Sequence, residues 1–405
     1  MSTKYFDGSK ASYLRLTLIL GTLTAFAPFS IDMYLPAFPA IAAAYHATPG
    51  EVQTTLAAFF AGLSIGQLVI GPLSDKFGRL TPLVTGIVLY IAASVAATFA
   101  PTIGMLAVIR FFQALGGCAG LVTSRAMVRD LFNEQDSART FSLLMLVMGV
   151  APILAPVTGT AILEATSWRS LFWMLAGFGM LCLVMVTLWL GETLPRTKRT
   201  KGGIGDTLWY VFEAYLSLLR NRGFLAYASS SAFLSAGLFA YITGAPFVFI
   251  EHYGLSPIGF AVLFSTNAAG LIAASQINGF LLRTYRSRAI LRISIRASLA
   301  AALLLVVMAA TGWGGMWGVA LPLFAFLSTI GFVGANAMAA AMATAGSYVG
   351  PAAALSGVLP FALAACTSSL VGALGSVSAL PMTLVIVLAA ILAFTAHSLA
   401  PRLES

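Results

Sequence analysis

Apolar stretches long enough to cross a lipid bilayer recur along the whole chain. A transmembrane helix needs ~20 consecutive, mostly apolar residues, and hydropathy divides the sequence into about twelve such stretches. The predicted spans cover residues 14–34, 51–72, 80–100, 104–126, 139–163, 169–190, 224–249, 257–281, 289–311, 316–339, 352–376 and 380–400. They lack the period-2 alternation of barrel strands. Because backbone groups in lipid must bond within their own segment, the sequence predicts twelve helices and an all-α integral membrane fold.

The scarcity of charge supports this interpretation. Only 9% of the residues are charged and the mean hydropathy is +0.94. A soluble domain carries roughly 25% charged residues. The composition therefore indicates an outer surface that faces lipid.

The net charge of +9 could instead indicate a nucleic-acid partner. With both termini placed in the cytoplasm, however, 20 of the 22 basic residues fall in cytoplasmic segments, and Arg110 and Arg169 are the exceptions. This asymmetry is the positive-inside signal of a multi-pass membrane protein. It predicts cytoplasmic termini, and it argues against binding of nucleic acid.

The spans form two sets of six on either side of one long polar segment. We expect an N-terminal bundle over 1–190, a cytoplasmic linker over 191–222 and a C-terminal bundle over 223–405. The linker opens as a Gly-rich basic stretch, which either is loosely ordered or leads into an amphipathic helix capped by Asp206 on the inner membrane surface. Two six-helix bundles are the plan of a transporter with its substrate site between them.

A polytopic enzyme, scaffold or receptor could share this number of spans. An intramembrane enzyme, however, usually needs a cluster of His, Asp, Glu or Cys at depth. The three histidines lie near span ends: His46, His252 and His397. The three cysteines are isolated in sequence, lack metal-ligand spacing and are expected to be buried: Cys118, Cys182 and Cys366. The sequence therefore predicts no enzyme, no metal site and no cofactor.

Asp32 and Arg110 are an acidic and a basic residue in the outer half of a span, at matching predicted depth. If the first helix continues to Ala40, Asp32 lies ~12 Å from its outer end, and Arg110 lies ~10 Å from Ile103, where the fourth helix should begin. Charges in the bilayer cost about 2.5–3.5 kcal/mol and are usually functional. We expect the two to form an ion pair or to share a water-filled cavity.

Two interpretations of this pair are open. A nearby guanidinium favours the carboxylate of Asp32 whereas loss of water favours the neutral acid, so its protonation would change as a cavity opens or closes. Such a group could couple transport to protons. Alternatively, a fixed salt bridge only holds the first and fourth helices together.

The loop between the second and third spans reads "GPLSDKFGR" and resembles the signature G-x-L-x-D-x-x-G-R of the major facilitator superfamily. The resemblance implies a conformational latch made by Gly71, Asp75, Gly78 and Arg79, with the two glycines in tight turns. The counterpart after the eighth span, "NGFLLRTYRSR", keeps only the glycine and basic residues.

Two further motifs resemble those of the superfamily's twelve-span drug:proton antiporters. "RFFQALGG", which begins at Arg110, is similar to the R-x-x-Q-G motif of the fourth helix, which implies a role in proton transfer. "GVAPILAPVTG" resembles the antiporter motif of the fifth helix through Gly149, Pro152, Pro156 and Gly159. Its Gly and Pro residues should bend that helix and let it pack closely across the bundle interface.

The finer resemblance is to the bicyclomycin-resistance type of multidrug exporter, carried by "SIDMYLPAFP", "RAMVRD" and "GAPFVFIEHYGLSP". It implies proton-driven export of small amphipathic antimicrobials such as phenicols, bicyclomycin or sulfonamides by a monomer in the bacterial inner membrane, with Asp32 as the protonation site. An exporter of an endogenous metabolite and an uncoupled facilitator are the alternatives.

A substrate cavity between bundles should combine aromatic residues with a few polar groups. The candidates are Tyr34, Phe59, Gln67, Gln113, Tyr241, Asn267 and Asn336. Because the second half has no acidic residue within its spans, the site offers at most one protein carboxylate. We therefore expect neutral or monocationic substrates.

Overall fold

The computed structural model describes residues 10–199, 204–346, 348–375 and 378–400, and their regular structure is entirely helical. The α-helices are α1 (Lys10–Thr24), α2 (Phe26–Asp32), α3 (Phe38–Tyr45), α4 (Pro49–Phe77), α5 (Leu80–Thr98), α6 (Ile103–Leu131), α7 (Glu134–Ala165), α8 (Trp168–Trp189), α9 (Ile204–Arg220), α10 (Arg222–Pro246), α11 (Pro257–Leu281), α12 (Ser287–Thr311), α13 (Gly315–Thr344), α14 (Val349–Leu374) and α15 (Leu380–Ser398). Short 3₁₀ turns cover Leu35–Ala37 and Arg196–Lys198, and a π-helix covers Phe247–His252.

The described residues contain twelve helical spans long and apolar enough to cross a membrane, which confirms the predicted number and order. The first span is longer than the predicted 14–34: it covers Ala11–Tyr45 and passes the helix end at Ala40 assumed for the depth of Asp32. It is also broken, because α2 ends at Asp32 and the 3₁₀ turn precedes α3. Pro36 lacks an N–H, so it cannot donate to the carbonyl of Asp32 four residues earlier.

The chain divides into two compact units, described separately below. The first comprises Met1–Ala37 and Ala58–Tyr210, and the second comprises Phe38–Ala57 and Val211–Ser405. The predicted bundle boundary placed residues 38–57 in the N-terminal half, whereas here they pack within the second unit. Phe38 lies with its ring 5.7 Å from that of Phe247, and the amide of Gln53 donates to the carbonyl of Thr243 at 3.3 Å.

Small residues set the packing of the first unit. α5 packs against both α6 and α8. A Cβ added at Gly116 would lie 2.5 Å from the carbonyl oxygen of Gly86 and 2.6 Å from the amide nitrogen of Tyr90. Only glycine at Gly116 therefore lets α5 and α6 approach this closely, as is common between membrane helices.

In the second unit, α10 is central and packs against α13, α14 and α15, while α12 packs against α13 and α15. The predicted linker helix exists as α9, but it begins at Ile204, so Asp206 lies in its first turn rather than before it. Cys118 and Cys182 are buried as expected, but Cys366 on α14 is exposed, which corrects the prediction for that residue.

Candidate functional site

Asp32 is the last residue of α2 and lies inside the first span. It is 4% exposed. Within the described part of the chain, no residue forms a hydrogen bond or an ion pair with its carboxylate. Asp32 is thus an enclosed acid without a protein partner.

Arg110 lies on α6 and is completely buried. Its guanidinium carbon is 4.2 Å from the centroid of the Phe59 ring, 4.5 Å from that of Tyr34 and 5.8 Å from that of Phe172. Guanidinium groups bind aromatic faces in this way, and the attraction grows when water is excluded. Three aromatic rings, rather than a carboxylate, therefore surround this cation.

The guanidinium also joins a chain of buried hydrogen bonds among α2, α5 and α6. Arg110 Nη2 donates to the carbonyl of Ser30 at 2.9 Å, and Nη1 donates to Gln113 Oε1 at 2.6 Å. Gln113 Nε2 donates to Ser94 Oγ at 2.7 Å, and the hydroxyls of Ser30 and Tyr90 share a 2.7 Å hydrogen bond. Arg110 Nε is buried without a partner. The network fixes Arg110 rather than leaving it free to swing.

The predicted ion pair between Asp32 and Arg110 is wrong: no N–O distance between them is within 4.0 Å. The predicted match in depth does hold, because Arg110 bonds to Ser30 and lies over Tyr34, which flank Asp32 on either side. Successive helical residues point 100° apart, so a helix that turns Ser30 toward Tyr90 turns Asp32 elsewhere. The alternative of a shared water-filled cavity stays a prediction.

The predicted latch residue Arg79 precedes α5 and is 7% exposed. It forms ion pairs with Asp75 and with Asp130 at the end of α6, and it donates to Ser74 Oγ at 3.0 Å. Although burial lowers the pKa of Arg79, its hydrogen bonds to Asp130 and Asp75 raise that pKa above the ordinary value. Arg79 is thus a fixed cation that ties α4, α5 and α6 together.

Glu192 is a second anchor of this loop. Its Oε1 accepts hydrogen bonds from the amides of Arg79 at 2.8 Å and Leu194 at 2.9 Å, and Oε2 lies 3.4 Å from an Arg199 nitrogen. The carboxylate therefore sits at the N-terminus of α5, where a negative charge is favourable. It ties the start of the linker segment to the latch.

The two latch glycines differ. Gly78 has φ +92°, and a Cβ there would collide with the Glu192 carboxylate, so glycine is required. Gly71 lies inside α4, and a Cβ there would meet nothing within 4 Å. The predicted tight turn at Gly71 is therefore wrong, because the helix continues past it to Phe77.

The fifth-span motif lies inside the continuous helix α7, with Pro152 and Pro156 in its interior. A Cβ at Gly159 would lie 2.3 Å from the carbonyl oxygen of Met33. The close approach at Gly159 is made to the first span, inside the first unit. Packing of the motif across the bundle interface stays a prediction. Gly149 also lies within α7.

All four candidate substrate residues of the first unit are buried. Tyr34 and Phe59 contact the Arg110 guanidinium through their ring faces, and Gln113 bonds to it directly. Gln67 stands apart, with a buried Nε2 that has no partner. Three of the four thus surround Arg110.

The candidates of the second unit fall into two places. Asn267 Nδ2 donates to the Tyr241 hydroxyl at 3.0 Å, and the Tyr241 ring stacks on Phe264 with centroids 5.5 Å apart. Asn336, by contrast, donates to Asn278 and accepts from the Ser287 hydroxyl, both at 2.7 Å. Asn336 thus joins α11, α12 and α13.

Sequence reasoning missed several residues of the first unit: Ser30, Tyr90, Ser94, Phe172, Asp130 and Glu192. Tyr90 and Ser94 lie in no quoted motif, whereas Ser30 opens the quoted "SIDMYLPAFP". The contacts of all three follow only from which helix faces meet. Asp130 is the last residue of the quoted "RAMVRD" motif, so its position in that motif was the signal that could have identified it. The described residues include no group of three or more His, Cys, Asp or Glu side chains that could hold a metal ion.

The sequence model of the Major Facilitator Superfamily matches residues 20–376. The chain belongs to this superfamily. It is 38% identical to the uncharacterized MFS-type transporter YdgK of Bacillus subtilis (strain 168), over 94% of this chain and 93% of that protein. It is 30% identical to the bicyclomycin resistance protein homolog of Haemophilus influenzae (strain ATCC 51907 / DSM 11121 / KW20 / Rd), over 90% of each.

Among solved structures, the chain is similar to a bacterial homolog of the human lysosomal transporter Spinster, in an inward-facing and occupied conformation. The TM-score is 0.72 at 14% identity, over 99% of this chain and 97% of that one, so this likeness concerns the fold alone. The superfamily, the relatives and the twelve spans make the protein a multi-pass transporter of the bacterial inner membrane and not an enzyme.

Proposed function

We propose that this transporter is a proton-coupled exporter of small amphipathic antimicrobials, such as phenicols, bicyclomycin or sulfonamides, and that Asp32 carries the exchanged proton. The observation that carries the proposal is the isolation of the Asp32 carboxyl, which is buried within a span and has no donor or cation beside it among the described residues.

An ionised carboxylate in such a position is costly, because burial removes most of its contact with water and no described protein group stabilises its charge. A proton removes this cost, and so does access to water or a bound substrate that offers a donor. The transporter can therefore change between its inward-facing and outward-facing conformations when Asp32 is either protonated or in contact with a substrate. This exclusive choice is what an antiporter requires, because the carrier must not return empty.

Arg110 serves this site as a positioning residue. It is held by Ser30 and Gln113 and sandwiched by Tyr34 and Phe59, so its charge stays in place while Asp32 changes protonation. Its bond to Ser30 also fixes the broken turn that presents Asp32. The earlier alternative of a fixed salt bridge between the two residues loses its support, since no such bridge forms.

Two observations support the substrate class. A relative that is 30% identical over 90% of the chain is named as a bicyclomycin resistance protein homolog. Furthermore, Asp32 is the one acid well inside a described span. The aromatic residues Tyr34, Phe59 and Phe172 surround Arg110 in the same unit. This chemistry favours neutral or monocationic amphipathic compounds over dications.

The test uses purified protein in proteoliposomes with an imposed pH gradient. Accumulation of radiolabelled chloramphenicol, bicyclomycin and a sulfonamide is measured for the wild type, for Asp32→Asn and for Glu164→Gln as control. Glu164 is exposed near the end of α7. We expect gradient-driven accumulation in the wild type and the control, and only gradient-independent exchange in Asp32→Asn.

The alternatives give different results. Equal, gradient-independent rates in the wild type and Asp32→Asn would identify an uncoupled facilitator. Absence of flux for all three compounds, together with coupled flux of a metabolite mixture, would identify an exporter of an endogenous metabolite. Undiminished gradient-driven accumulation by Asp32→Asn would contradict the role given to that residue.

A further inference from the structure

Three arginines form a stripe along one face of α12. Arg288, Arg292 and Arg296 are spaced four residues apart, which places them one above another on a helix. All three are exposed. We call these residues the arginine stripe.

The remainder of the same face is apolar. Further along α12, the exposed side chains are those of Leu303, Leu304 and Val307, which are 46%, 47% and 53% exposed. Such a face of a membrane-spanning helix lies against lipid. The arginine stripe therefore occupies the first third of a lipid-facing surface.

The position of Arg296 along the helix makes this arrangement unusual. Arg296 lies nine residues after Ser287, the first residue of α12, which is ~14 Å along the axis. The whole helix has 25 residues. An arginine this far into a span is unfavourable unless an anion or water reaches it.

Acidic residues are scarce in this part of the sequence. The sequence contains no Asp or Glu from residue 252 to residue 403. Among the described residues, Arg292 and Arg296 form no ion pair. Within the described residues no carboxylate balances Arg292 and Arg296, so a ligand from outside the chain can do so.

His397 lies on the neighbouring helix α15, which packs against α12. It lies within electrostatic range of Arg292 and Arg296. Its ring is held edge-on by Tyr227 at 6.1 Å, and its Nδ1 is buried without a hydrogen-bond partner. An unpartnered imidazole nitrogen on the helix that packs against α12 is a second, independent sign of an absent ligand.

We propose that the arginine stripe and His397 form a binding site for the phosphate groups of an anionic phospholipid, with its acyl chains against the apolar part of α12. Arginine binds phosphate oxygens with two parallel hydrogen bonds, and basic pockets between membrane helices suit anionic headgroups. A diphosphate headgroup, such as that of cardiolipin, matches two guanidinium groups one helical turn apart. The positive-inside asymmetry assigns this end of α12 to the cytoplasmic leaflet.

The experiment measures lipid binding to the full chain, delipidated in detergent, by native mass spectrometry and by the shift in Tm. The probes are cardiolipin, zwitterionic phosphatidylcholine and inorganic phosphate. The variants are Arg292→Gln/Arg296→Gln and, as a control with the same change in charge, Arg220→Gln/Arg222→Gln, whose arginines are also exposed.

We expect cardiolipin to bind the wild type and the control equally and to raise their Tm, whereas phosphatidylcholine and inorganic phosphate do neither. In the stripe variant, cardiolipin affinity should fall by about thirtyfold, as two arginines worth ~1 kcal/mol each imply. If the double Gln variant does not fold, Arg296→Gln alone should still show about a fivefold loss.

Two outcomes overturn the proposal. Equal cardiolipin affinity in the wild type and the stripe variant would mean that the arginines reach interfacial water instead of a lipid. An equal rise in Tm with inorganic phosphate would make the site one for a soluble anion.

Discussion

Arg110 donates a 2.9 Å hydrogen bond to the carbonyl of Ser30, two residues before Asp32. The amide of Tyr34, which would bond this carbonyl in a regular helix, bonds that of Ile31 instead at 3.3 Å. The guanidinium therefore replaces a missing main-chain bond where the first span breaks. The same break places Asp32 at the end of α2, so the two charged residues are linked through the backbone rather than through an ion pair.

Arg110→Lys should destabilise the protein and impair coupled transport. Lysine keeps the charge but cannot donate to Ser30 and Gln113 in the same fork, nor stack between Tyr34 and Phe59. We expect a loss of about 1.5–3 kcal/mol, measured by chemical unfolding in mixed micelles.

Arg169→Lys is the matched control for this substitution. Arg169 also lies over an aromatic ring, that of Trp168 at 4.3 Å, and donates to a carbonyl, that of Thr98 at 3.1 Å, but it is exposed. It should change stability by less than about 1 kcal/mol. Equal losses for the two variants would contradict the importance given to the buried network.

The hydroxyl pair of Ser30 and Tyr90 should show energetic coupling. Both groups are buried, so Tyr90→Phe leaves the Ser30 hydroxyl without this partner, and Ser30→Ala does the converse. A double-mutant cycle should give a coupling energy of about 1 kcal/mol. Strictly additive effects on unfolding would show that the bond contributes nothing.

Alanine at the two latch glycines should have opposite consequences. Gly78→Ala forces a side chain into a left-handed conformation against Glu192, which should cost about 1–3 kcal/mol. Gly71→Ala adds a methyl group in open space inside a helix and should be neutral or stabilising by up to ~1 kcal/mol. The Tm of each variant measures this difference, and a similar loss for both would refute the helical position of Gly71.

The sequence was sufficient to predict the twelve spans, because helix length and hydropathy follow directly from the thickness of the bilayer. It also predicted that Asp32 and Arg110 lie at one depth, because depth is counted along a helix. It did not predict the break after Asp32 as a structural element, nor the extension of the first span to Tyr45. Those depend on how Pro36 redirects the backbone.

The sequence could not predict the residues that contact Arg110, and the reason is different. Charge scarcity suggested an acid, but rotation about a helix axis decides which side chains meet, and no motif encodes that angle. The cation is instead satisfied by Phe59, Tyr34 and Gln113, two of which are ordinary aromatic residues in sequence. The contacts of Ser30, Tyr90 and Ser94 likewise exist only once α2, α5 and α6 are packed.

The most direct test of the account is proton release on substrate binding. Chloramphenicol is added to purified protein in weakly buffered detergent solution at a pH at which the wild type binds protons, and a pH-indicator dye records the change. We expect the wild type and Glu164→Gln to release protons and Asp32→Asn to release none while still binding the compound. Proton release by Asp32→Asn equal to that of the wild type would contradict Asp32 as the site of exchange.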